Sequence, residues 1–243
     1  GLALGMAWTF VVGIAYRQRA MRSFNGLVAS LIFFGMLALT FTWQVGQNLE
    51  TDLAALKLPL LQKEITAGSW WEDEWQALPK ERTHLKSVAA RTFNFQFAGP
   101  LEELKQLLAA HDWQEGEPAN WRWLILSMNP EPTEYLLPPL KRDYLGHADD
   151  LLLHRLGGDP SAQETIRLWD SGVRLSPSGT PVYLGQVAVE VLVQRLKFFS
   201  YWRAIPSAQT NIDLLQVETA GLTTRRVSDS MLLLKSAQVV SGS

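Results

Sequence analysis

From Gly26 to Val45 the chain carries no charged side chain, and no other feature restricts its fold as strongly. At about 1.5 Å per residue, a helix over that run reaches roughly the 30 Å of a bilayer core. The absence of a polar face in Gly26 to Thr40 argues for a transmembrane helix over a soluble helical hairpin. A second apolar run, Leu2 to Tyr16, precedes it across the basic link RQRAMRSFN. The pair reads as an N-terminal transmembrane helical hairpin over residues 1–45. The first run is shorter than a span needs, and the chain opens at Gly1 without the charged start or cleavage site of a signal peptide. The expectation is a chain that begins inside a helix of a longer membrane protein.

Charge sets the expected orientation. The link holds Arg17, Arg19 and Arg22 and no acid, whereas Glu50 and Asp52 follow the second run. Positively charged loops stay cytoplasmic, which places the link inside and residues 46–243 outside. In a bacterium this is a multi-pass inner-membrane protein with residues 46–243 in the periplasm. All 24 acids lie in that exterior part, which is mildly acidic and argues against nucleic acid as a partner. The absence of cysteine excludes disulfides, Cys-ligated zinc and thiol chemistry. The ten tryptophans are expected in the core or at a membrane interface, since indole buries a large apolar area and keeps one donor to satisfy.

Residues 46–69 read as a stalk: leucines at helical spacing from Gln47 to Ala67, broken at Pro59. Residues 70–243 read as one exterior domain. In SWWEDEWQALPKERT, Trp70, Trp71 and Trp75 alternate with acids, either anchoring the domain or forming an aromatic platform for a sugar or lipid headgroup. FNFQF at 93–97 alternates apolar and polar like a half-buried strand, and Gly99 and Pro100 end it. LEELKQLLAAHDW is an amphipathic helix with Glu102 and Glu103 in its first turn. WRWLILSM at 121–128 reads as a further strand, and the proline-rich NPEPTEYLLPPL as loop. DDLLLHRL, ETIRLWDSGV and PVYLGQVAVEVLV, joined by turns too short for a crossover helix, form an antiparallel meander. The aromatic QRLKFFSYWRAIP follows, and DLLQVETAGL and SMLLLKSAQVV read as two more strands around SDS. The fold class expected is α+β: the transmembrane hairpin, then an antiparallel-sheet extracytoplasmic domain with one or two packed helices.

Two clusters carry candidate chemistry. His147, Asp149, Asp150 and His154 fall close together, and on a strand Asp150 and His154 share a face, so imidazole and carboxylate there are weak candidates for zinc. Loop and strand-end polar residues are more often solvated, and no metal or other cofactor is expected. Arg167, Trp169 and Asp170, followed by Ser171, are candidates for binding an anion or sugar, although an arginine on a meander strand is more often a cross-strand ion-pair partner. Glycine inside YLGQ marks a bulge or close packing. No nucleophile-elbow, P-loop, dinucleotide-binding or zinc-protease spacing is present, and no catalytic residue is assigned.

The runs YLGHADDLLLHRL, IRLWDSGVRL and PVYLGQVAVEVLV, with FNFQFAGPLEEL and WQALPKERT before them, resemble the LssY C-terminal domain family over Trp70 to Ile205. GLALGMAWTFVVGIAYR resembles the last helix of a phosphatidic acid phosphatase type 2 (haloperoxidase-superfamily) membrane domain, which commonly precedes that family, sometimes with a DedA-like domain ahead of it. The resemblance implies an accessory or regulatory domain anchored behind a bacterial lipid phosphatase, a hydrolase of undecaprenyl-pyrophosphate or phosphatidic-acid type. The implied catalytic histidine, aspartate, arginine and lysine would lie upstream of this chain. Its implied partners are the bilayer, the upstream phosphatase helices, and isoprenoid or glycerolipid phosphates. Two rivals remain open: a cell-envelope lipid or glycan binding module without enzymatic role, and an independent hydrolase using the His147 to His154 cluster.

Overall fold

The computed structural model describes residues 28–40, 42–43, 57–60, 62–82, 92–116, 121–128, 137–156, 159, 161–195, 199–205 and 209–240. The chain divides into two units, Gly1–Lys57 and Leu58–Ser243. In the first, residues 28–40 and 42–43 are helical (α1). The hydroxyls of Thr40 and Thr42 donate back to carbonyls of the preceding turn, Met36 and Leu37 for one, Ala38 and Leu39 for the other. Among the described residues no helix is long and apolar enough to cross a membrane, which corrects the expected N-terminal transmembrane hairpin. The first apolar run and the arginine link lie outside the described residues.

The second unit is built on a mixed β-sheet, which also corrects the expectation of a purely antiparallel one. Its strands are β1 (Lys63–Thr66), β2 (Phe95–Ala98), β3 (Gln114–Glu115), β6 (Leu151–Leu156), β7 (Ala162–Ser176), β8 (Thr180–Arg195), β9 (Phe199–Ala204), β10 (Thr223–Ser228) and β11 (Met231–Lys235). The main path runs β10-β11-β2-β8-β7-β6-β3, with β1 beside β7 and β9 beside β8. The β11–β2 and β1–β7 pairs are parallel. The β6–β7–β8 meander is antiparallel and in register, with Leu152 opposite Arg167 and Arg167 opposite Gln186. A separate two-stranded ribbon pairs β4 (Asp143–Tyr144) with β5 (His147–Ala148).

Helices α3 (Leu101–Ala109) and α5 (Gln209–Glu218) bury Leu104, Leu108, Ile212 and Leu215 on one sheet face, against Phe95, Phe97, Ile166, Leu168, Val187, Leu232 and Leu234. Helix α2 (Ala67–Glu72) brings Trp70 to the other face, among Ala98, Val173, Leu175, Val182 and Leu233. Thr66 caps it by accepting from the Ser69 amide. Because that second face is covered, β2 is buried on both sides, and its Gln96 and the preceding Asn94 point into protein. Gln96 accepts from the Trp70 indole at 2.9 Å and donates to the Trp75 carbonyl at 2.9 Å. Asn94 pairs both backbone groups of Val187, at 2.7 and 2.8 Å. A Cβ on Gly185 would stand 2.2 Å from the Phe95 ring, so the glycine lets the aromatic lie flat on β8.

Three segments differ from the sequence reading. Lys63–Thr66 is a strand where a kinked stalk helix was expected. WRWLILS at Trp121–Ser127 is a helix, α4, and DLLQVE lies within α5, so the strand before the Asp229-Ser230 turn is TTRRVS. A short helix, α6 (Ala237–Val240), follows β11. Apolar runs of this length suit either a buried helix turn or a strand, and packing chooses between them.

Candidate functional site

Pro138 and Pro139 have no amide hydrogen, so the segment around them cannot join a ladder, and its carbonyls need partners from elsewhere. Residues 137–142 form an irregular strap held down by side chains. The indole of Trp202 donates to the Leu137 carbonyl at 2.6 Å and that of Trp123 to Pro138 at 3.0 Å. The Arg167 guanidinium donates to the Leu140 carbonyl at 2.6 Å, and the Trp169 indole to Arg142 at 3.0 Å. Three tryptophans and one arginine, drawn from β7, β9 and α4, thus satisfy four strap carbonyls. The chain then turns through Leu145 and Gly146, both at positive φ, as a two-residue hairpin of the I′ kind requires. It returns at Asp149, whose amide donates to the Arg142 carbonyl at 3.0 Å.

Beneath the strap lies a layer of charge. Arg167 points from the middle of β7 and is 1% exposed. It donates to Asp149 Oδ2 at 2.7 Å and meets Glu190 Oε1 of β8 at 3.4 Å. Arg142 of the strap reaches the same Glu190 oxygen at 2.5 Å, and Gln163 donates to Oε2 at 3.2 Å. Two guanidinium groups face two carboxylates, so the layer is electrically balanced. Burial pushes the Asp149 carboxyl above its ordinary range, against the opposing pull of Arg167. Burial likewise lowers Arg142, with Glu190 opposing. Among the described residues Asp149 Oδ1 and Arg167 Nε have no hydrogen-bond partner. His154 on β6 lies opposite Thr165, its Nδ1 also without a partner among the described residues; burial and then the nearby Arg167 charge hold its imidazole below the usual value.

The family model described as LssY C-terminus matches residues 75–214, more than half of the chain. The chain belongs to the LssY C-terminus family. No curated protein and no solved structure matches it. The match takes in α3, α4, the strap, the meander and β9, and it marks an LssY C-terminal module, a C-terminal accessory domain. The match carries no phosphatase or hydrolase assignment, so those terms of the sequence reading have no support in it.

In this LssY C-terminal domain the sequence-nominated residues go to different places. Arg167 and Trp169 share the strap-facing side of β7 and are buried there. Asp170 sits at the β7 bulge, paired with Arg174 at 2.6 Å and accepting from the Gly172 amide at 2.8 Å, and these partners hold its carboxyl below the ordinary value although burial opposes them. Ser171 donates to the Val182 carbonyl. His147 Nε2 lies 2.9 Å from the Leu58 carbonyl, and Asp150 accepts from the Asp170 amide at 2.7 Å. Among the described residues no group of three or more His, Asp or Glu is placed to hold a metal ion. Arg142 and Glu190 went unnoticed in the sequence. Glu190 did leave a signal: one acid within the apolar run VAVEVLV on a central strand must be buried, and a buried carboxylate needs cations beside it.

Proposed function

We propose that this LssY C-terminal domain works as an accessory binding and positioning module, and that chemistry, where it occurs, belongs to another part of the polypeptide that carries it. One observation carries this reading: Arg167 and Asp149, which the sequence nominates, are spent on each other, on Arg142 and Glu190, and on the strap. Arg167, Asp149, Glu190 and Arg142 form a charge-balanced set whose role is to seat residues 137–149 on the sheet. Of the three tryptophans of the platform reading, Trp70 is buried and donates to Gln96, Trp75 donates to the Glu72 carbonyl, and Trp71 and Trp75 pack against the core around Trp70, which favours anchoring over a platform. The test removes the domain from the polypeptide that carries it. Deletion of residues 58–243 should leave turnover intact and alter substrate preference or regulation; loss of turnover in a deletion that still folds would overturn the accessory role.

The finer reading, a lipid-phosphate hydrolase ahead of the domain, rests on the resemblance of residues 1–17 alone. The coding sequence upstream of Gly1 tests it. A histidine closely followed by an aspartate and running into GLALG would supply the nucleophile and its orienting acid; an unrelated segment there removes the hydrolase and leaves the accessory module standing.

A further inference from the structure

The β8–β9 pair extends past the part of the sheet that α3 and α5 cover. On the face where Val187 is the last residue packed into the core, β8 continues with Val189, Val191, Val193 and Arg195. The register sets Val191 opposite Arg203, Val193 opposite Tyr201 and Arg195 opposite Phe199, so these side chains share that face. The three valines, Phe199 and Tyr201 are only half-buried, and Arg195 and Arg203 are exposed. The Arg195 guanidinium lies 5.9 Å from the Tyr201 ring centroid, and the Phe199 and Tyr201 rings are 6.3 Å apart. Next to β9, helix α4 packs Trp123 edge-on to Phe199 and exposes Ile125 (59%), with Met128 (53%) exposed just past its end. Ile205 adds a further exposed apolar side chain at the end of β9.

Charge points to the occupant. Neither 121–128 nor 191–205 contains an aspartate or glutamate, in a chain whose net charge is −2. We infer that this end of the domain is a docking surface for an anionic lipid bilayer, with Ile125, Met128 and the β8–β9 pair's apolar side chains entering the interface and Arg195 and Arg203 meeting lipid phosphates. Apolar and aromatic side chains rimmed by arginine are the composition that settles at a headgroup boundary. Each arginine near an anionic surface adds to partitioning by roughly fivefold. The inference needs no hydrolase upstream, so the two readings fail separately.

The chain has no cysteine, so one introduced thiol carries an environment-sensitive dye without competition. In the full chain, Ile125→Cys puts the dye on the patch, and Ser178→Cys puts it in the exposed turn at the opposite end of β8. With phosphatidylcholine vesicles containing phosphatidylglycerol, the dye at 125 should shift to the blue, reverse with added salt, and stay unshifted on phosphatidylcholine alone. The dye at 178 should not respond. Arg195→Glu with Arg203→Glu should weaken the response more than about tenfold, while the Arg→Lys pair retains it. The inference is overturned by no shift at 125, by equal shifts at 125 and 178, by a shift that survives charge reversal, or by a shift that arises without vesicles as protein concentration rises. A response to an acidic protein or to nucleic acid but not to vesicles would assign the surface to that partner instead.

Discussion

Arg167 is the residue on which the strap's charge layer turns, because its single guanidinium touches the Leu140 carbonyl, Asp149 and Glu190. Arg167→Ala strands two buried carboxylates with only Arg142 to offset them, and removing one partner of a buried pair costs about 3–5 kcal/mol. Urea denaturation should show a loss of that size, and Arg167→Lys should recover only part of it, since an ammonium cannot reach three acceptors in a planar fork. His154 gives a pH signature. Its imidazole is held below the ordinary value of 6.5 by burial and then by Arg167, so the folded state binds its proton less readily than the unfolded chain does. The neutral ring's contribution to stability is therefore fully present above 6.5 and is lost as pH falls through the depressed folded value. A plot of unfolding free energy against pH should slope upward just below 6.5, and His154→Leu should flatten that slope.

At the scale of elements, side chains hold the strap in the absence of a ladder, and they pin β2 in addition to its ladders with β8 and β11. Trp169→Phe keeps the aromatic packing with Phe93 and removes the donor to Arg142. The loss should be about 1 kcal/mol, read most directly as faster hydrogen exchange at the Asp149 amide, which bonds the same carbonyl. Gly185→Ala drives a methyl group into the Phe95 ring. Either β2 lifts off β8 or the ring leaves its place, and overpacking of this kind costs about 1–3 kcal/mol. Thermal melting should report it; an unchanged melting temperature would mean that β2 does not lie where the register puts it.

For the whole molecule, the parallel pairing of β2 with β11 joins residues far apart in the chain. β11 places Leu232 and Leu234 in one core and Leu233 in the other, so it closes both faces of the sheet at once. A chain ending at Ser228 should lose the cooperative thermal transition of the sheet domain, followed by circular dichroism, rather than melt a few degrees lower. Folding should also be slow for a domain of this size, since its closing contact waits on a long loop.

What could be read from the residues alone was local. Alternating apolar runs with short Gly- and Pro-rich turns between them determined the β6–β7–β8 meander, and leucines at helical spacing after Pro100 determined α3. Glycine in YLGQ already pointed to close packing. Tertiary structure decided the rest, because periodicity says which side chains share a face and not what covers that face. Asn94 and Gln96 look solvent-facing until α2 and β8 bury and bond them. Trp121–Ser127 and DLLQVE are short enough for strand or helix, and their packing beside β9 and over β8 and β11 selects helix. Arg167 reads as an anion-binding candidate or a cross-strand ion-pair partner, and only the fold shows that the strap, which no local pattern ties to β7, closes over it. Its partners Asp149, Glu190 and Arg142 come from three separate segments, and only the folded sheet brings their charges close enough to balance.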